Sequence, residues 1–198
     1  MANPSQMFDN TLDAVKGWFH EAALDHSGVL NTNVTIDPVP QGRVVHLDAA
    51  GTYSMGVTAA FMPIFLLNSS DDPDVANAGG DYWQAVAPTG KMSGLVATGG
   101  YELESTEYLA TTTTYAPGQY LSAQALDTDA TVGGALSNRD DNGVTGADIT
   151  AGTALVNPML SGGATNQACC GTVSAAVAAN SHGVNVLRFW PAYIPGVT

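Results

Sequence analysis

Thr111-Thr112-Thr113-Thr114-Tyr115-Ala116-Pro117-Gly118-Gln119-Tyr120-Leu121-Ser122-Ala123 sets a β-branched run, a turn and a second short segment side by side. β-Branched and aromatic residues fit a pleated, half-buried surface and lose rotamer freedom in a helix. Pro117 and Gly118 stand where a type II turn asks first for a fixed negative φ and then for a positive one. The stretch therefore predicts two extended segments joined by a tight turn. The same pattern continues on both sides of it. Before it come strand candidates at Arg43 to Leu47, Thr52 to Met55, Ala60 to Leu67, Gly94 to Thr98 and Tyr101 to Leu109. After it come Gly133 to Leu136, Ala154 to Val156, Gly171 to Ala179 and Val184 to Trp190. Asp48 to Gly51 and Asn180-Ser181-His182-Gly183 read as turns, and Gly99-Gly100 reads as the turn of a hairpin. Thr172 to Ala179 also admits a short helix, but its β-branched start and the turn that follows favour a strand. Many short strands at such spacing predict a mainly β fold, a β-barrel or jelly-roll-like sandwich.

The N-terminal part reads differently. Met7, Phe8, Leu12, Val15, Trp18, Phe19, Ala22 and Ala23 recur at steps of three and four, the helical period. Ser5 suits the start and Ser27-Gly28 the end, so a helix is predicted over 5–27, with Gly17 as its weak point. Residues 29–41, with Asp37-Pro38-Val39-Pro40, read as an extended connector, because a residue before proline is pushed out of the helical region. The expected organisation is a helical arm and connector over 1–41 and a β domain over 42–198.

Composition narrows the function. Of 198 residues, 45% are hydrophobic but only 12% are charged, against about 25% in ordinary domains. A surface poor in Lys and Glu loses little hydration when buried against a partner. The 18 acids outnumber the 5 bases, for a net charge of −13. Lys16, Arg43, Lys91, Arg139 and Arg188 are scattered, and phosphate binding needs clustered cations. No nucleic-acid partner is expected, and an acidic surface is also repelled by anionic membranes. The longest apolar run, Phe61 to Leu67, is far shorter than the roughly 20 residues of a membrane helix. The first 20 residues lack a basic start and an apolar stretch, so synthesis in the cytoplasm without an export signal is expected.

Residue types that carry chemistry are present but poorly grouped. Glu102 and Glu104 would share one face of a strand at a spacing of about 7 Å, which glycoside hydrolysis permits. With Glu107 they read more simply as a solvated or interface face on an edge strand. Asn138-Arg139-Asp140-Asp141-Asn142-Gly143 imitates the opening of a calcium loop, yet Ile149 stands where the twelfth-position Glu belongs and Asp148 comes one residue early. Asp71-Asp72-Pro73-Asp74 is a second acidic loop. His20, His26, His46 and His182 have no metal-pair spacing. Adjacent Cys169-Cys170 read as reduced thiols, one buried and one near a turn, since a bridge between neighbours is strained. Neither a nucleophile elbow nor a phosphate loop is present. No catalytic, cofactor-binding or metal residue is assigned, and the chain is read as a binding protein and not an enzyme. The tail, Val186 to Gly196, is too apolar to leave in water and reads as a core strand or as a strand end laid on a neighbour; Pro191 and Pro195 suit an edge.

Met62-Pro63-Ile64-Phe65-Leu66, Asp72-Pro73-Asp74-Val75, Leu95-Val96-Ala97-Thr98-Gly99-Gly100-Tyr101-Glu102-Leu103, Tyr115-Ala116-Pro117-Gly118-Gln119-Tyr120-Leu121 and Leu187-Arg188-Phe189-Trp190-Pro191 form a layout over residues 40–195. That layout resembles the capsid cement, or decoration, proteins of tailed bacteriophages. The resemblance implies a barrel or jelly-roll body, a homo-oligomer (dimer or trimer), and the major capsid protein as partner on the outside of the virion. It transfers no catalytic residue. The alternatives are another virion component, such as a head fibre base, tail or receptor-binding module, and a carbohydrate-binding β-domain.

Overall fold

The computed structural model describes residues 12–16, 24–58, 60–67, 69–70, 91–97, 100–110, 114–139 and 168–195, with the backbone alone at 12–16, 24–27, 91 and 93. These residues form strands β1 (Leu12–Lys16), β2 (Leu24–Val29), β3 (Val44–Leu47), β4 (Tyr53–Met55), β5 (Pro63–Leu66) and β6 (Lys91–Val96). They continue with β7 (Glu102–Ser105), β8 (Tyr120–Ala123), β9 (Leu136–Ser137), β10 (Cys169–Ala179) and β11 (Asn185–Ile194). Among the described residues there is no helix. The protein is mainly β, with two sheets, one ordered β1-β7-β11-β10-β8-β9 and the other β2-β6-β5-β3-β4. Every strand pairing within them is antiparallel.

A period of two along each strand divides the apolar residues between two cores. Val44, Phe65 and Leu95 of the five-stranded sheet join Leu103, Leu121, Val173, Leu187 and Phe189 of the six-stranded one in a shared core. Phe65 and Phe189 meet there, with ring centroids 5.3 Å apart. The alternate residues Val45, Tyr53, Met55, Ile64, Leu66 and Met92 face a second core, which Ile36 and Val39 of the connector cover. Strand β5 is thus buried on both faces, so it reads as the unbroken run Pro63-Ile64-Phe65-Leu66 and shows no alternation. The sheets are also joined through the backbone: Val57 N–H donates to Ala123 O (2.9 Å) and Val44 N–H to Gly134 O (2.8 Å).

Far edges are tied back. Leu30, directly after β2, bridges Tyr53 of β4, and Asn31 N–H donates to Tyr53 O at 2.8 Å. In the other sheet Tyr108, beyond β7, bridges Leu136 of β9. Leu109 N–H donates to Leu136 O, and Leu136 N–H to Glu107 O, both at 2.9 Å. Tyr53 is fully buried, and its ring passes over Gly28, where a Cβ would overlap the ring.

Several expectations hold, and others are corrected. The strands at 43–47, 52–55, 60–67, 120–123 and 184–190 appear with small boundary shifts, and Thr172 to Ala179 is strand. The Ala116–Gln119 turn closes with Gln119 N–H on Ala116 O, and Gly118 takes φ 87°. The helix predicted over 5–27 is not found where the chain is described: 12–16 and 24–29 are strands. β1 pairs with β7, Ala14 opposite Leu103, and β2 pairs with β6, Leu24 opposite Leu95. Long-range ladders to two inner strands outweigh a weak local helical preference already broken by Gly17. The Gly99-Gly100 hairpin is also corrected, because β6 and β7 belong to different sheets and this connection crosses between them. The strand expected at 154–156 lies outside the described residues.

Candidate functional site

The outer face of the six-stranded sheet is where aromatic and charged side chains come together. Leu121, Val173 and Phe189 point into the shared core, so their sequence neighbours Tyr120, Thr172 and Trp190 stand on the opposite face. Tyr120 is opposite Thr172, and Thr172 is opposite Trp190, which places the three in one row across β8, β10 and β11. At about 4.8 Å between strands, the backbones of Tyr120 and Trp190 lie about 10 Å apart. Trp190 keeps 41% of its surface exposed, unusual for so large an apolar side chain next to a buried Phe189. Two residues back on the same face, Arg188 is opposite Glu104 and donates to it through Nε at 3.2 Å. Glu104 also receives Asn180 Nδ2 at 3.4 Å.

Glu102 and Glu104 do share a face, but β7 lies between β1 and β11, so it is not the edge strand expected. Both are buried (5% and 9% exposed), so neither faces open solvent as a free acid would. Glu107 belongs to another constellation. Arg43, just before β3, is buried and donates through Nε to Glu107 Oε2 (2.6 Å), through Nη1 to Gly133 O (2.6 Å) and through Nη2 to Ala130 O (3.0 Å). One guanidinium thus ties the end of β7 to the β8–β9 loop. Sequence reading counted Arg43 only as a scattered base. The available signal was a cation beside a Val-Val strand in a chain with few cations; its partners, 64 to 90 residues away, carried none.

Asp48, in the β3–β4 turn, accepts from Thr52 N–H and hydroxyl, from Ala50 N–H and from Asn31 Nδ2. The Thr52 bonds first, and then Asn31, hold its carboxyl well below the usual carboxylate range. Asp129 is also lowered, by the Thr131 hydroxyl and N–H and by the charge of Arg43. Asp48 thus ties its turn to Asn31 of the connector, and Asp129 closes a turn within the β8–β9 loop.

The remaining sequence candidates fall into three groups. Cys169 and Cys170 form no disulfide and are both buried, not one buried and one near a turn. Burial pushes Cys169 up to about 12 and Cys170 well above its ordinary value, so neither is poised as a thiolate nucleophile. His46 is buried, with Nδ1 3.0 Å from Gly56 O and its ring stacked on Phe61; His182 is exposed in the β10–β11 turn. His20 and the 71–74 loop lie outside the described residues, as does the 138–148 loop beyond Arg139. Asn138 is buried and donates through Nδ2 to Thr114 O and Gln119 Oε1. Among the described residues no group of three or more His, Cys, Asp or Glu is placed to hold a metal ion.

The tail strand β11 is central, not an edge, and buries Val186, Leu187 and Phe189. Pro191 sits opposite Gly171, where the β10 register shifts, and such an irregularity accommodates a residue with no N–H to donate.

No family model, curated protein or solved structure matches this chain.

Proposed function

We propose that this chain is a capsid cement protein, a structural subunit that binds the outside of a phage shell, spans neighbouring major capsid subunits and stabilises the expanded form. The observation that carries the reading is the contrast on the six-stranded sheet. Glu102, Glu104, Cys169 and Cys170 are buried, while Trp190 faces out beside Thr172, Tyr120 and the Arg188–Glu104 pair. A large exposed aromatic beside an internally paired Arg is the kind of side chain that anchors interfaces between proteins. The low charge of the chain reduces the desolvation cost of such an interface. The edge ties at Leu30–Tyr53 and Tyr108–Leu136 support a barrel-like, jelly-roll-type body for this subunit. They tie back β2, β4 and β9 and leave the sheet faces for association, which for this role would be as a dimer or trimer. Repetition over a symmetric shell multiplies contacts that are individually weak. The resemblance of residues 40–195 to decoration proteins points the same way.

The test is binding to expanded empty shells, read by co-sedimentation and by the melting temperature of the shell. The wild-type chain is expected to pellet with shells and to raise their melting temperature. Trp190→Ala should weaken binding by about 30-fold, the effect of losing an anchor worth roughly 2 kcal/mol. Failure to pellet, together with absence from purified virions by mass spectrometry, overturns the reading. The Tyr120–Trp190 row is also the feature that favours a carbohydrate-binding module, since flat rings two strands apart offer stacking platforms. Heat released on mixing with oligosaccharides, with no shell binding, would establish that alternative instead.

A further inference from the structure

We draw no further inference here: the strongest candidate, the open cleft between the edge-to-face Tyr108–Tyr115 ring pair and the Ala176, Val177 and Asn185 stretch of the β10–β11 hairpin, carries nothing because its lining is mixed and nothing in the structure shows what covers it.

Discussion

Replacing Arg43 by Met keeps most of the aliphatic stem and deletes the guanidinium. Three acceptors then lose their donor: Glu107 Oε2, Gly133 O and Ala130 O. The side chains of Arg43 and Glu107 are only 8% and 13% exposed, so water replaces the lost bonds poorly. Removing one partner of a buried ion pair costs about 3–5 kcal/mol, because the remaining charge stays in a poorly solvated site. Charged hydrogen bonds at about 1.5–3 kcal/mol each would sum to more, but bonds sharing one group are not additive. The expected loss is therefore about 4 kcal/mol, on the order of 10 °C in Tm for a chain of this size. Urea unfolding followed by tryptophan fluorescence measures it, with the midpoint falling and the slope unchanged. Glu107→Gln keeps an acceptor for Nε and should cost less than Arg43→Met. In the double variant Arg43→Met/Glu107→Met no charge is stranded, so its loss should be smaller than the sum of the single losses. An Arg43→Met protein within 1 kcal/mol of wild type would refute the reasoning, since that is the behaviour of a solvated surface pair.

Asp48 has a folded pKa below its unfolded value of about 3.9, so its stabilisation is present above that value and is lost as pH falls through the folded one. Asp48→Asn should therefore lower stability near neutral pH and shrink the gap to wild type in acid, as followed by circular dichroism from pH 6 down to 2. Gly28→Ala drives a methyl into the Tyr53 ring and should cost about 1–3 kcal/mol in the same urea assay; an unchanged midpoint would mean that the ring has room to move. Cys169 and Cys170 should resist a thiol reagent at pH 8 in the folded protein and both react in urea, whereas rapid labelling of the native chain would contradict their burial.

The β class was legible because the turns are written in local chemistry: Pro117-Gly118 and Asn180 to Gly183 each set their own backbone. In the second of these, Asn180 Oδ1 accepts from His182 and Val184 N–H. The apolar run within 60–67 was legible as a strand, while its burial on both faces shows only in the structure. What escaped was everything decided at long range. The segment 12–16 carries a helical period, and only its ladder to β7 makes it extended. Gly99-Gly100 looks the same whether the chain turns back or crosses to another sheet. Glu102 and Glu104 were paired correctly by the period of two, but the strands that flank them lie 80 or more positions away in β11 or precede β2. Arg43 was silent for the same reason.

Among the described residues the longest ladder joins β10 to β11, in the middle of the six-stranded sheet. Antiparallel hydrogen bonds lie perpendicular to their strands. A load directed along that hairpin shears many rungs at once, whereas a load pulling across a rim meets only the few links around Leu30 or Tyr108. Mechanical toughness in this body is thus directional, and tension borne along Asn185–Ile194 meets the greatest resistance.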